Sequence, residues 1–492
     1  MTKLNGWKMG CVVFVLCLAT AIAASAQTFT TLFKFNGSDG ANPIAMSLIQ
    51  GADGHLYGST VQGGTGSCIN SVGCGTIFKL TARGLSTIFN FTCTQTTCDP
   101  AFPVGTLTLD NNGTLYGVAN AGGSFFCGQS NGCGGIFKIT SSGELTPLFT
   151  FTTFSQGYLP WGLTLANDGN FYGTAWLGGT ECDGSIGCGT AFKLTATGTF
   201  SVLDDFSGLD AFPAAQLTLG SDGELYGATM GSPVSNGSVF KMTRSGEMRN
   251  LPIGSSSGAA IPSAGLVQAV DGNFYGTTEY DSSNLSGGGT VFKVTPQGGF
   301  SILHSFCQVN CSDGSQPQGA LMQATDGNLY GMTRYGGDLT CNPPSGCGTI
   351  FQISPDGAFV SLHSFDGMDG ESPVNGLVQR TNGVLYGVTY GGGKLGKTCS
   401  LGCGTIFSLD MGLGPFASFV VPVGNVGQTG GILGQGFTGT TSVSLNGTPA
   451  SFTVVSDTFI RATVPEGGTT GYVTVTTPSG VLTSNVPFHV IP

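Results

Sequence analysis

The chain has 492 residues, 84 of them Gly and 34 Phe, with only 9% charged and 40% hydrophobic, and a formal net charge of −11. Low charge with abundant apolar residues excludes intrinsic disorder, and glycine without a G-X-Y period excludes collagen. An acidic chain with no basic stripe is not built for nucleic acid.

In chain order, the first feature is an export leader over residues 1–26. Lys3 and Lys8 precede the apolar "CVVFVLCLATAIAA", and Ala24-Ser25-Ala26 forms an A-x-A cleavage site. The apolar run is shorter than the roughly 20 residues that a span requires. No other segment reaches that length, so no membrane span is expected in the mature chain.

From there a unit repeats. Its marker is Leu/Phe-Tyr-Gly, at Tyr57, Tyr116, Tyr172, Tyr226, Tyr275, Tyr330 and Tyr386, spaced 49 to 59 residues apart. Such a period signals a repeat architecture. Each unit reads as four strands; in the sixth they are "GALMQA", "NLYGMT", "GTIFQIS" and "FVSLHSF". The turn before the second strand carries Asp53-Gly54, Asn112-Gly113, Asp168-Gly169, Asp222-Gly223, Asp271-Gly272, Asp326-Gly327 or Asn382-Gly383, which predicts a type I′ hairpin with positive φ at both positions. A proline precedes every first strand, at Pro43, Pro103, Pro160, Pro213, Pro262, Pro317 and Pro373, and is expected to open it. The Gly after each Tyr is expected to let neighbouring backbones approach, and the Tyr itself to be a packing residue. Gly interrupts every candidate helix.

Four-stranded units repeated seven times predict an all-β fold, a seven-bladed β-propeller over 27–411; a β-solenoid is the alternative. The seventh unit ends at "GTIFSLD" without a fourth strand, while "FTTLFKF" at 29–35 matches the fourth strands elsewhere. The N-terminal strand is therefore expected to complete the last blade, sealing a ring that a solenoid would have to cap.

Cys11 and Cys17 fall in the leader. The other fourteen cysteines form close couples: Cys68/Cys74, Cys93/Cys98, Cys127/Cys133, Cys182/Cys188, Cys307/Cys311, Cys341/Cys347 and Cys399/Cys403. In an exported chain these read as local disulfides. No couple is a C-x2-C and His numbers only four, so neither a metal site nor a cofactor is expected.

After a linker at 412–415 the text changes to short alternating strands over 416–492, the size of a small Ig-like sandwich. "GQGF", "VSLNGTPA" and "ATVPEG" resemble an IPT/TIG domain. The repeats, through "FNGSDGANP", "DGHLYGSTVQGG" and "GTIFKLT", resemble the Gloeo/Verruco (GloVer) tandem repeat of exported bacterial proteins. That resemblance implies secretion or surface display and no defined chemistry. Members often end in a membrane-sorting anchor; the "SNVPFHVIP" end departs from that pattern.

With alternating strands, the fourth-to-first and second-to-third connections share one face, and this face holds the cysteines and all large length variation. Long stapled loops on a rigid frame are the usual place for binding. Four residues after each repeat Tyr the chemistry varies freely: Val61, Asn120, Trp176, Met230, Glu279, Arg334 and Tyr390. Trp176, Tyr335 and Tyr390 are candidates to stack on sugar rings, with Glu279 and Arg334 bonding hydroxyls.

No serine elbow or HExxH occurs. Glu181, Asp183, Glu279, Asp281 and Asp338 are the loop acids that a glycosidase would need to bring together in a pair. "DGMDGES" at 366–372 lacks EF-hand spacing. The expectation is an extracellular or surface binding protein for a glycan or another surface protein. The alternatives are a carbohydrate-active hydrolase or lyase and a structural spacer, with oligomeric state left open.

Overall fold

The computed structural model describes residues 27–491 except 45–46, 69–71, 95–99, 124–131, 183–185, 209–210, 214, 232–236, 252–258, 282–287 and 397–398. The leader, Cys98, Cys127 and Asp183 lie outside the described residues. Among the described residues the only helical element is a turn of 3-10 helix at Phe154–Gln156, so no helix is long and apolar enough to cross a membrane.

Each repeat is one antiparallel sheet. The first unit pairs Ile49–Gln50, Leu56–Thr60, Thr76–Thr81 and Gly84–Asn90 in that order, and the sixth pairs Met322–Gln323, Leu329–Thr333, Thr349–Ile353 and Phe359–Ser364. The second strands are buried almost throughout, as Leu329–Thr333 illustrates. A strand covered on both faces must be apolar throughout, which is why "LYGMT" does not alternate. The outer fourth strands alternate half-buried and exposed residues.

Three details differ from the sequence reading. The innermost strands are only two residues long in most units, because a left-handed residue and the proline upstream take the backbone out of the ladder. The hairpin is not type I′. Gly54 has φ +76 but Asp53 is not among the positive-φ residues. Gly54 N–H bonds Gly51 O at 2.9 Å and Gly51 N–H bonds His55 O at 2.8 Å, the pattern of a type I turn followed by a left-handed glycine. The Gly after each Tyr yields mainly to a side chain, and at Gly173 a neighbouring backbone approaches as expected, with Gly162 O 2.5 Å from where a Cβ would stand. A Cβ on Gly331 would sit 2.5 Å from Cζ of Phe351 and 2.7 Å from Cδ2 of Leu321, and Gly58, Gly117, Gly227, Gly276 and Gly387 meet the equivalent Phe and Leu.

Neighbouring units lock together by one recurring wedge. The Gly that opens each third strand faces the proline of the next unit: a Cβ on Gly75 would lie 2.8 Å from Cδ of Pro103, and on Gly348 2.6 Å from Cδ of Pro373. The proline thus packs between units rather than opening a strand. The same wedge joins the last unit to the first, with 2.7 Å between a Cβ on Gly404 and Cδ of Pro43.

The seventh sheet takes its fourth strand from the N-terminus. Thr28–Lys34 pairs antiparallel with Thr405–Asp410, with a register shift between Thr31 and Phe33. Shifts at the equivalent place occur in other units, between Ala191 and Phe192 and between Ile350 and Phe351. Phe29 stacks on His363 of the sixth unit at 3.8 Å, as Phe359 stacks on His304 at 3.9 Å. These two histidines are inter-unit packing residues, held by Asp369 at 2.8 Å and Asp313 at 2.9 Å.

The C-terminal residues build two further four-stranded sheets. One contains Thr429–Leu433 and Phe459–Thr463, the other Ser442–Leu445 and Val473–Thr477. Ile432, Phe437, Val443, Leu445, Ile460 and Val475 are buried in the core they share. This body sits on the face of the hairpin turns. Arg461 Nε donates to Asn111 O at 3.1 Å, Thr458 Oγ1 to Ala52 O at 2.7 Å, and Gly431 N–H to Asn111 Oδ1 at 2.9 Å. Gln428 donates to the Asn167 carbonyl. Val421 and Val423 join an apolar cluster of the second and third units, and Leu433 and Phe459 one of the first and second.

Candidate functional site

The turn face carries a clasp in five of the units. The repeat Tyr hydroxyl donates to the turn carboxylate at 2.7 Å for Tyr57 and Asp53, and at 2.8 Å for Tyr172–Asp168, Tyr226–Asp222, Tyr275–Asp271 and Tyr330–Asp326. Lys79, Lys241 and Lys293 pair with the same carboxylates in their units. Burial works to raise the Asp271 pKa, but the bonds from Asn273, Tyr275 and Lys293 prevail and hold it at about 2. Burial, with the Asp110 charge, pushes Tyr116 up to about 12. The repeat tyrosines are therefore structural, and all but the half-buried Tyr386 are buried.

On the opposite face the loops position a rim. The residue before each proline is left-handed without being glycine: Asn42, Phe102, Leu159, Phe212, Ile261, Gln316 and Ser372 have φ between 52° and 64°. Each is held in place by the preceding unit. Ser372 N–H bonds Cys347 O at 3.0 Å, and Phe212 N–H bonds Cys188 O at 2.8 Å. Its carbonyl then takes the N–H of the variable residue four places after the Tyr: Met230 to Phe212 at 3.0 Å, Glu279 to Ile261 at 3.0 Å, Arg334 to Gln316 at 3.1 Å and Tyr390 to Ser372 at 3.2 Å. Disulfides Cys68–Cys74, Cys182–Cys188, Cys341–Cys347 and Cys399–Cys403 staple the second-to-third loops, and Cys307–Cys311 a fourth-to-first loop. Cys93 and Cys133 are also disulfide-bonded.

These variable residues converge. Trp176, Met230, Glu279, Arg334 and Tyr390 line one cavity of about 440 Å³ together with Ile44, Trp161, Ser263, Gln318, Val374 and Asn375. The volume lies within the range of small-ligand sites. Four of the five candidate ligand residues are thus brought together. The fifth, Tyr335, does not line the cavity: its ring lies behind Arg334, with the guanidinium carbon 4.8 Å from the ring centroid. Val61 and Asn120, at the equivalent positions of the first two units, are not part of the wall either.

The sequence reading missed the second ring of the wall. Ile44, Trp161, Ser263, Gln318 and Val374 each follow the proline of their unit. That position varies as freely as the other, and this was the available signal. The chain has three tryptophans, and both of those after residue 26 lie in this wall.

The wall holds unmet hydrogen-bonding groups. Trp161 Nε1, Trp176 Nε1, Ser263 Oγ, Arg334 Nε and Asn375 Oδ1 are buried and have no partner among the described residues. Glu279 accepts from Gln318 Nε2 at 2.7 Å. Among the described loop acids only Glu279 reaches the cavity. Glu181 lines a separate depression with Asp204 and Asp205, Asp281 lies outside the wall, and Asp338 is exposed and bonded to Thr340. Among the described residues, no carboxylate pair therefore forms across this cavity.

A ring of four-stranded sheets with variable loops gathered at one mouth defines a β-propeller. The fold resembles that of virginiamycin B lyase from Staphylococcus aureus, with a TM-score of 0.51 and 14% identity over 78% of this chain and 98% of that one. Weaker likenesses include the extracellular domain of a hybrid two-component system from B. thetaiotaomicron, at TM-score 0.46 and 12% identity over 94% of this chain and 58% of that one. A gluconolactonase from Xanthomonas campestris follows at TM-score 0.40 and 12% identity, over 79% of this chain and 90% of that one. At these identities the likeness concerns the fold alone. No curated protein is significantly similar. The Gloeobacter/Verrucomicrobia repeat matches residues 12–232 and 213–475, and the chain belongs to that family.

Proposed function

We propose that the chain is an exported binding protein that takes a saccharide in the rim cavity. Its frame is a seven-bladed propeller over 27–411, joined through 412–415 to an IPT/TIG-like Ig sandwich over 416–492, with residues 1–26 removed on export. The Gly404–Pro43 wedge and the N-terminal fourth strand support the blade count, the two packed C-terminal sheets support the sandwich, and the disulfides fit an oxidising compartment.

One observation carries the binding reading. Both tryptophans beyond the leader and Tyr390 line one 440 Å³ cavity whose wall holds unmet donors and acceptors. Aromatic faces cover the apolar face of a sugar ring while polar groups at the edge select its hydroxyls. A concave well of this size suits a glycan end better than the flat surface of a protein partner. Hydrolysis by paired carboxylates has less support, since Glu279 is the only carboxylate in the wall among the described residues.

The test is a glycan array with residues 27–492, followed by titration of each hit against intrinsic tryptophan fluorescence and product detection. Hits should change the emission and be recovered intact. Binding that leaves the emission unchanged and survives Trp176→Ala would place the ligand elsewhere, and release of product would make the protein an enzyme.

A further inference from the structure

We propose that the saccharide is acidic, and that its oxyanion substituent, a uronate carboxylate or a sulfate ester, is held by Arg334. The inference rests on the binding reading above and adds the charge class of the ligand.

The cavity has two charged residues, and only one is engaged by a hydrogen bond. Glu279 accepts from Gln318 at 2.7 Å. Arg334 forms no ion pair and no hydrogen bond from its guanidinium among the described residues, and its buried Nε has no partner. Its recorded side-chain contact is the Tyr335 ring, 4.8 Å below the guanidinium carbon. Stacking fixes the plane of the group and leaves its donors at the edge. The backbone is fixed too, by the 3.1 Å bond from Arg334 N–H to Gln316 O.

The scaffold does not ask for a cation here. Sister units place Trp176, Met230 and Tyr390 at the same position. A half-buried guanidinium with unmet donors destabilises the free protein, so its presence points to what fills the well. A planar fork of donors matches an oxyanion through two parallel bonds. Trp161 and Trp176 in the same wall supply the apolar faces that a sugar ring uses and a bare carboxylate does not.

The probes come in pairs that differ only in charge. One pair is an oligogalacturonate and its methyl ester; the other is a sulfated galactan oligomer and its unsulfated parent. Each is titrated into residues 27–492 by calorimetry and tryptophan fluorescence at low salt. At least one charged member should bind about tenfold or more tighter than its neutral partner, the margin expected of a charge-assisted pair. The preferred pair identifies the oxyanion. Arg334→Gln should abolish that preference, and Arg334→Lys should keep part of it. Equal affinity within both pairs overturns this inference and leaves saccharide binding standing. Failure of all four oligomers to bind, or capture of an acidic peptide instead, overturns both.

Discussion

The two faces of the ring are built from the same repeat and treat it in opposite ways. On the turn face the units are nearly uniform: a tight hairpin, a buried Tyr, a carboxylate and in three units a Lys at 2.6 to 3.0 Å. The C-terminal sheets then cover that face over the first three units. On the loop face the same frame carries a different side chain in every unit, and its loop tips expose Val309, Met368, Leu395 and Leu401. Uniformity goes with sealing and variation with access. A repeat protein can vary chemistry at one end of its strands because the other end holds geometry constant.

The strongest way to break this comparison is to open the ring. Removing 27–35 deletes the fourth strand of the last sheet and exposes the edge of Thr405–Asp410. We expect no soluble, cooperatively unfolding monomer, checked by gel filtration and calorimetry; an unchanged melting temperature would show that the strand is dispensable.

A smaller effect separates crowding from backbone strain. Gly331→Ala forces a methyl against Phe351 and Leu321, a loss of about 2–3 kcal/mol for overpacking. Gly327→Ala meets nothing within 4 Å but has φ +83, so it should cost about 1 kcal/mol through the backbone alone. Adding Phe351→Leu should recover part of the first loss and none of the second, as a denaturant double-mutant cycle would reveal.

The faces should also separate binding from docking. Trp176→Ala removes an aromatic wall and should weaken the ligand roughly thirtyfold, about 2 kcal/mol, with little change in thermal stability. Arg461→Ala removes bonds to Asn111 and Asn112. It should loosen the C-terminal body by about 1 kcal/mol and leave ligand affinity unchanged. The reverse pattern would mean that the binding face is the one the C-terminal sheets cover.

The smallest expected effect is on the clasps. A carboxylate held below its ordinary pKa contributes stability that is fully present above that ordinary value and is lost as pH falls through the folded one. For Asp271 that window runs from the usual carboxylate range down to about 2. Tyrosines raised by burial act at the other end: the Tyr116 contribution fades as pH climbs from the ordinary phenol range through about 12. Asp271→Asn should flatten the acid limb of the stability profile slightly and leave the neutral plateau lower but level.

How much of this was legible in the sequence follows from where each signal resides. The unit, its four strands and the borrowed N-terminal strand are local patterns read against a fixed period, and they could be aligned by eye. The hairpin type could not. Asp-Gly states that one residue needs positive φ, while the ladder that sets loop length begins only at Gln50 opposite Leu56. The rim residues were found by asking which position varies on a constant frame. Tyr335 failed because one step along a strand end turns the side chain the other way. Trp161 and Gln318 passed unnoticed because attention fell on the prolines before them. The docking of the C-terminal sheets pairs Asn111 with Gly431 and Arg461, residues so far apart in sequence that no periodicity links them.

The strand Thr28–Lys34 also imposes an order in time. It leaves the ribosome before any unit of the ring, yet its partner Thr405–Asp410 closes the last unit. Throughout elongation the earliest strand has no native mate, and every unit made meanwhile belongs to an open arc with a bare edge. Pairing across so long a stretch of chain is slow relative to local hairpin formation, and such intermediates are prone to associate. Acquisition of the finished ring is therefore all-or-none with respect to chain length: a product truncated before Asp410 lacks part of the partner for its own first strand, whatever the quality of the units already made.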